Sequence, residues 1–81
     1  MKWIKIKDTE EKISYYKKNK YRTYTLNLSY NPLYLNWLVE FYVWDSLFQS
    51  GIESTIFHKR EFYEKKENAL KKLNEFKQLK I

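Results

Sequence analysis

Between Leu35 and Asp45 the chain reads LNWLVEFYVWD, a strand-like run with apolar side chains on both of its faces. Trp37, Val39, Phe41 and Val43 point one way. Leu38, Tyr42 and Trp44 point the other, with only Glu40 among them as a charge. A strand in a half-solvated sheet alternates apolar with polar residues. Here the second face needs its own explanation.

Thr23 to Tyr30 shows the ordinary pattern. Tyr24, Leu26, Leu28 and Tyr30 alternate with Thr23, Thr25, Asn27 and Ser29, which predicts a half-buried strand. Asn31-Pro32 ends it, because proline lacks the N–H that a ladder needs and asparagine favours turns. Lys2 to Lys7 also alternates, with Ile4 and Ile6 opposite Trp3, Lys5 and Lys7. Residues 8–20 admit two readings. Asp8 and Glu11 resemble a capping box, and Lys17 and Lys18 suit a helix C-terminus. The alternative is a hairpin turning near Asn19, which Ile13, Tyr15 and Tyr16 favour.

Gln49-Ser50-Gly51 predicts a turn, and Glu53 to about Arg60 a further strand with Ile56 and Phe57 on opposite faces. From about Glu64 to Lys80 the period changes. Ala69, Leu70, Leu73 and Phe76 make one helical stripe, with Phe62 and Tyr63 approaching from the entry side. Glu61/Lys65 and Glu67/Lys71 are favourable i,i+4 pairs. The resulting expectation is an α+β fold in a single small domain, 1–81. An antiparallel sheet of four to five strands carries a C-terminal amphipathic helix on one face.

A helix is ~10 Å across, whereas five strands span roughly 20–24 Å. One helix therefore leaves the second face bare. Leu38, Tyr42, Trp44 and Phe57 are assigned to that face, with Trp3 a further candidate. Three fates are open to it: a second small core under the 30–36 loop, a contact with another copy, or a binding surface.

Charge sharpens this picture. Residues 1–22 hold eight cations (Lys2, Lys5, Lys7, Lys12, Lys17, Lys18, Lys20, Arg22) against Asp8, Glu10 and Glu11. Residues 59–81 hold eight more against Glu61, Glu64, Glu67 and Glu75. Residues 23–58 hold no lysine or arginine. The apolar centre is thus free of cations, and its flanks are basic. Lysine, asparagine, isoleucine, tyrosine and phenylalanine dominate, and all have AT-rich codons. An AT-rich genome, such as that of a low-GC bacterium, its phages or its mobile elements, accounts for lysine over arginine without a functional demand.

Candidate chemistry is sparse. The single histidine, His58, is followed by Lys59 and Arg60, which disfavour its charged form. Ser46, Ser50, Ser54 and Asp45 show no triad spacing around it. Glu40, Asp45 and Glu53 read as rim residues rather than a catalytic carboxylate pair. One glycine and no cysteine argue against a phosphate-cradling loop and a thiolate metal site. No catalytic residue, metal ligand or cofactor is assigned. The N-terminus turns charged too early for a signal peptide and no run approaches the ~20 apolar residues of a span, so a cytoplasmic protein with no membrane partner is expected.

Two binding functions remain. The first is a non-enzymatic protein, encoded by a phage or mobile element, that docks on a host protein or nucleoprotein. Inhibition of a defence nuclease is the concrete version. Its anchors are Leu38, Tyr42, Trp44 and Phe57, since aromatic residues are enriched and lysine depleted at interface centres. The second is single-stranded DNA or RNA binding through Trp3, Lys5, Lys7, Lys17, Lys18, Lys20, Arg22 and Lys59, which combine ring platforms with cations. A homodimer is compatible with either.

Overall fold

A computed structural model describes residues 2–45 and 55–79, the side chain of Thr55 excepted. These described residues contain five strands and one helix: β1 (Ile4–Asp8), β2 (Lys12–Lys18), β3 (Arg22–Asn31), β4 (Asn36–Asp45), β5 (Thr55–Tyr63) and α1 (Lys66–Lys77). The strands form one antiparallel meander in chain order, β1-β2-β3-β4-β5. The α+β expectation is met, and residues 8–20 resolve as hairpins. The expected Gln49-Ser50-Gly51 turn lies outside the described residues. Among the described residues no helix is long and apolar enough to cross a membrane.

Local chemistry sets each turn. Thr9 N–H donates to the Lys12 carbonyl at 2.7 Å, and Lys12 N–H donates to Thr9 Oγ1 at 3.0 Å, closing the β1–β2 turn. Asn19 Oδ1 accepts from the N–H groups of Tyr21 (2.8 Å) and Arg22 (2.7 Å), an Asx arrangement that turns β2 into β3. Asn31 Oδ1 accepts from Leu33 N–H at 3.1 Å at the head of the β3–β4 turn.

The core lies between the central strands and the helix. Tyr24, Leu26 and Leu28 of β3, Val39, Phe41 and Val43 of β4, and Ala69, Leu73 and Phe76 of α1 are all buried. Burying one large apolar side chain stabilises by ~1.5–3 kcal/mol. Phe41 is the hub, with edge-to-face contacts to Phe57 (5.6 Å between centroids), Phe76 (5.4 Å) and Trp3 (6.1 Å).

The helix is tied down at both ends. Lys66 Nζ donates to the Glu10 carbonyl at 2.8 Å, and Trp3 Nε1 donates to the Lys77 carbonyl at 3.0 Å. The second bond satisfies one of the carbonyls a helix leaves unpaired at its C-terminus. Lys72 bridges Glu61 of β5 (3.3 Å) and Glu75 (3.1 Å).

Several boundaries and faces differ from the sequence reading. The helix starts at Lys66, not Glu64, because β5 runs on through Phe62 and Tyr63 to pair with β4. Trp3 lies on the helix side, packed on the core, while Ile4 and Ile6 are exposed at 50% and 58%. A bulge between Lys5 and Lys7 breaks the regular alternation of β1. Phe57 also belongs to the helix side, opposite Val43 and against Phe41. A strand's alternation does not say which set faces the core; only the β4–β5 register does.

Candidate binding face

Cross-strand partners share a face, so the registers define the side of the sheet away from α1. Its central row crosses all five strands: Ile4, Tyr16, Thr25, Tyr42 and His58. Beside it runs a polar row of Lys7, Ser14, Asn27, Glu40 and Arg60. Lys12, Ser29, Leu38 and Phe62 form the next row. On the opposite flank lie Lys18, Thr23 and Trp44. Among the described residues no helix covers these rows. The 30–36 loop does not close over them either, since Leu33, Tyr34 and Leu35 project into solvent.

Three of the four expected anchors, Leu38, Tyr42 and Trp44, therefore share the open face, each half-buried among its neighbours. Phe57 does not join them. Phe62, 54% exposed, takes the fourth place instead. The alternation of His58, Arg60 and Phe62 in HKREFY was the available signal, masked by assigning Phe62 to the helix entry.

At the centre, the Tyr42 and His58 rings stack at 4.2 Å with an interplanar angle of 12°. The Tyr42 hydroxyl donates to Glu40 Oε2, and Arg60 Nε lies 3.4 Å from the same oxygen. Hydrogen bonding to that carboxylate, aided by burial, holds the Tyr42 phenol above its ordinary value of 10.0. Glu40 is thus engaged from two sides. The other charges in these rows, Lys7, Lys12 and Lys18, are positive and exposed.

The residues of the nucleic-acid reading do not form one groove. Lys7 and Lys18 are on the open face. Lys5 is on the helix side, 5.7 Å from the Tyr15 ring and bridged to Asp8 at 2.9 Å. Lys59 pairs with Phe41 on that same side. Lys17 lies 4.4 Å from the Trp3 ring and 5.0 Å from that of Tyr24, and burial there lowers its pKa. Lys20 and Arg22 sit at the β2–β3 turn and its exit. Only this end gathers four of the cations, Lys17, Lys18, Lys20 and Arg22, and it does so across two faces.

His58 stacks on Tyr42, and Ser46, Ser50, Glu53 and Ser54 lie outside the described residues. Among the described residues there is no group of three or more acidic or histidine side chains that could hold a metal ion. No protein-family model, no curated protein and no solved structure matches the chain.

Proposed function

We propose that the protein is a non-enzymatic docking module whose open sheet face binds an acidic surface on another protein. One observation carries the reading: among the described residues, a five-stranded sheet with a helix on one side only presents Leu38, Tyr42, Trp44 and Phe62 on the other. Two further features support it. Glu40 is compensated by Arg60, so Lys7, Lys12 and Lys18 set the sign of the face. A basic rim speeds encounter with an acidic partner. The Tyr42–His58 stack also turns two ring faces toward each other. That suits packing against a protein better than receiving a nucleobase, which needs a free ring face. A host protein targeted by a phage or mobile-element product remains the concrete version of this function.

The test is a pull-down from host lysate with and without nuclease treatment, followed by affinity measurement with the recovered protein. Trp44→Ala should weaken association at least tenfold, the usual effect of removing an interface anchor. Binding that disappears with nuclease, or that ignores Trp44→Ala, would defeat the reading.

A further inference from the structure

The sheet has two edges, and they are not alike. β1 is five residues long, exposed throughout and bulged between Lys5 and Lys7. A short, bulged, lysine-bearing strand resists pairing with another chain. β5 is nine residues long and contains neither proline nor glycine. From Phe57 to Tyr63 it pairs with β4 without a break in register. Among the described residues no strand pairs with its outer side. A long, regular edge of this kind is a template for a further strand.

Charge selects that strand. β5 carries Phe57, Lys59, Glu61 and Tyr63 on the helix side, and His58, Arg60 and Phe62 on the open side. A second copy related by a two-fold axis normal to the sheet offers the same strand, antiparallel and with matching faces. Faces match only when the axis lies at a residue, not between two. An axis at Lys59 sets Lys59 against Lys59 and Phe57 against Glu61. An axis at Glu61 sets Glu61 against Glu61. An axis at Arg60 sets each Lys59 against Glu61, each Phe57 against Tyr63 and each His58 against Phe62. Opposite charges and ring pairs directly across a ladder are favourable, whereas like charges are not.

The remaining charges fit the same register. Arg60 meets Arg60 on the axis, but each has its own Glu40 at 3.4 Å. Glu61 also meets its own Lys72 at 3.3 Å, and Lys72 is shared with Glu75 at 3.1 Å. Lys59 of the second copy brings that cluster to equal numbers of cations and carboxylates. The net charge of +6 opposes approach from a distance, but at physiological salt such repulsion fades beyond ~8 Å. Pairing β5 with β1 of another copy would instead bring Lys59 and Arg60 up to the lysines of a bulged strand. We propose that the chain forms a two-fold dimer through β5, centred on Arg60, which joins two sheets into one. Both helices then lie on one side and both open faces on the other. A single strand pair is a small interface, so this dimer is reversible and depends on concentration. It rests on the edge and not on the docking reading, and Lys59 and Glu61 lie on the helix side, away from the docking residues.

Sedimentation velocity of the purified chain over a concentration series tests this, and a monomer–dimer equilibrium is expected. Lys59→Glu faces Glu61 with a carboxylate, and Glu61→Lys faces Lys59 with an ammonium. Each variant alone should dimerise at least about tenfold more weakly. Mixed together they are complementary at every charged position, so the mixture should recover the dimer. The chain has no cysteine, which allows a second test that keeps Glu61 and its Lys72 bridge. Arg60→Cys puts thiols on the axis, where facing Cα atoms lie ~4.5–5.5 Å apart and a disulfide can close. Mild oxidation should cross-link Arg60→Cys and leave Lys59→Cys uncross-linked. A chain still monomeric at about 1 mM would overturn the proposal, and would leave the edge to a foreign strand. So would cross-linking at position 59 in place of 60, self-association undiminished in Lys59→Glu, or a mixture of the two folded charge variants that stays monomeric.

Discussion

The two faces of β4 are built from similar side chains and end in different environments. Val39, Phe41 and Val43 are 0–1% exposed beneath α1. Leu38, Tyr42 and Trp44, one residue out of phase, are only half-buried, shielded by neighbours within the sheet. Residue type alone does not decide burial here; the position of a single helix does. The covered face is dry and aromatic at its hub, with Phe41 among Trp3, Phe57 and Phe76. The open face keeps polar partners within reach, as the Tyr42, Glu40 and Arg60 contacts show.

That contrast can be broken most severely at Phe41. Phe41→Ala should destabilise by ~3–5 kcal/mol, the range for emptying a large aromatic site in a core. Trp44→Ala, on the same strand, should lose less than about 1 kcal/mol. Urea denaturation of the two variants measures the difference directly, and equal losses would mean that the open face is a second core.

A smaller effect is expected at Trp3. Trp3→Phe keeps a ring over the core but removes the donor to the Lys77 carbonyl. It should destabilise by ~1–2 kcal/mol, read from the same denaturation curves. A variant as stable as the parent would make Trp3 a passive cover.

The smallest effect sharpens the contrast by pH. The folded Tyr42 phenol is held above its ordinary value of 10.0, so its contribution is complete below that pH. It is lost as pH rises through the higher folded value. Tyr42→Phe should therefore cost ~0.5–1 kcal/mol near neutrality and make the alkaline decline in stability shallower. Melting temperatures across the alkaline range, with phenolate absorbance as the titration signal, check both parts.

Much of the covered side was legible in the chain. The alternation in β3 placed Tyr24, Leu26 and Leu28 inward, and the 3.6 spacing in α1 did the same for Ala69, Leu73 and Phe76. Those signals are local. The face of an edge strand is not, because it depends on register, and both edge pairings are irregular. One bulge falls between Lys5 and Lys7, and another between Val43 and Trp44. Trp3, beside β1, and Phe57, in β5, were therefore misplaced, while Leu38, Tyr42 and Trp44 in the interior strand β4 were not. The apolar Leu33-Tyr34-Leu35 run was readable between Asn31-Pro32 and Asn36, but its exposure was not, because the loop could equally have folded back as a lid.

The bond from Trp3 to the Lys77 carbonyl joins residues 74 positions apart. The hairpins of the meander can form from near neighbours, in the order in which the strands leave the ribosome. Their inner face has no cover until α1 arrives. Contacts of such long range form late and slow folding. During synthesis the nascent sheet therefore exposes both of its apolar faces, a state prone to self-association. Docking of α1, fastened by the Trp3 bond, is then the step that closes one of them and leaves the other available.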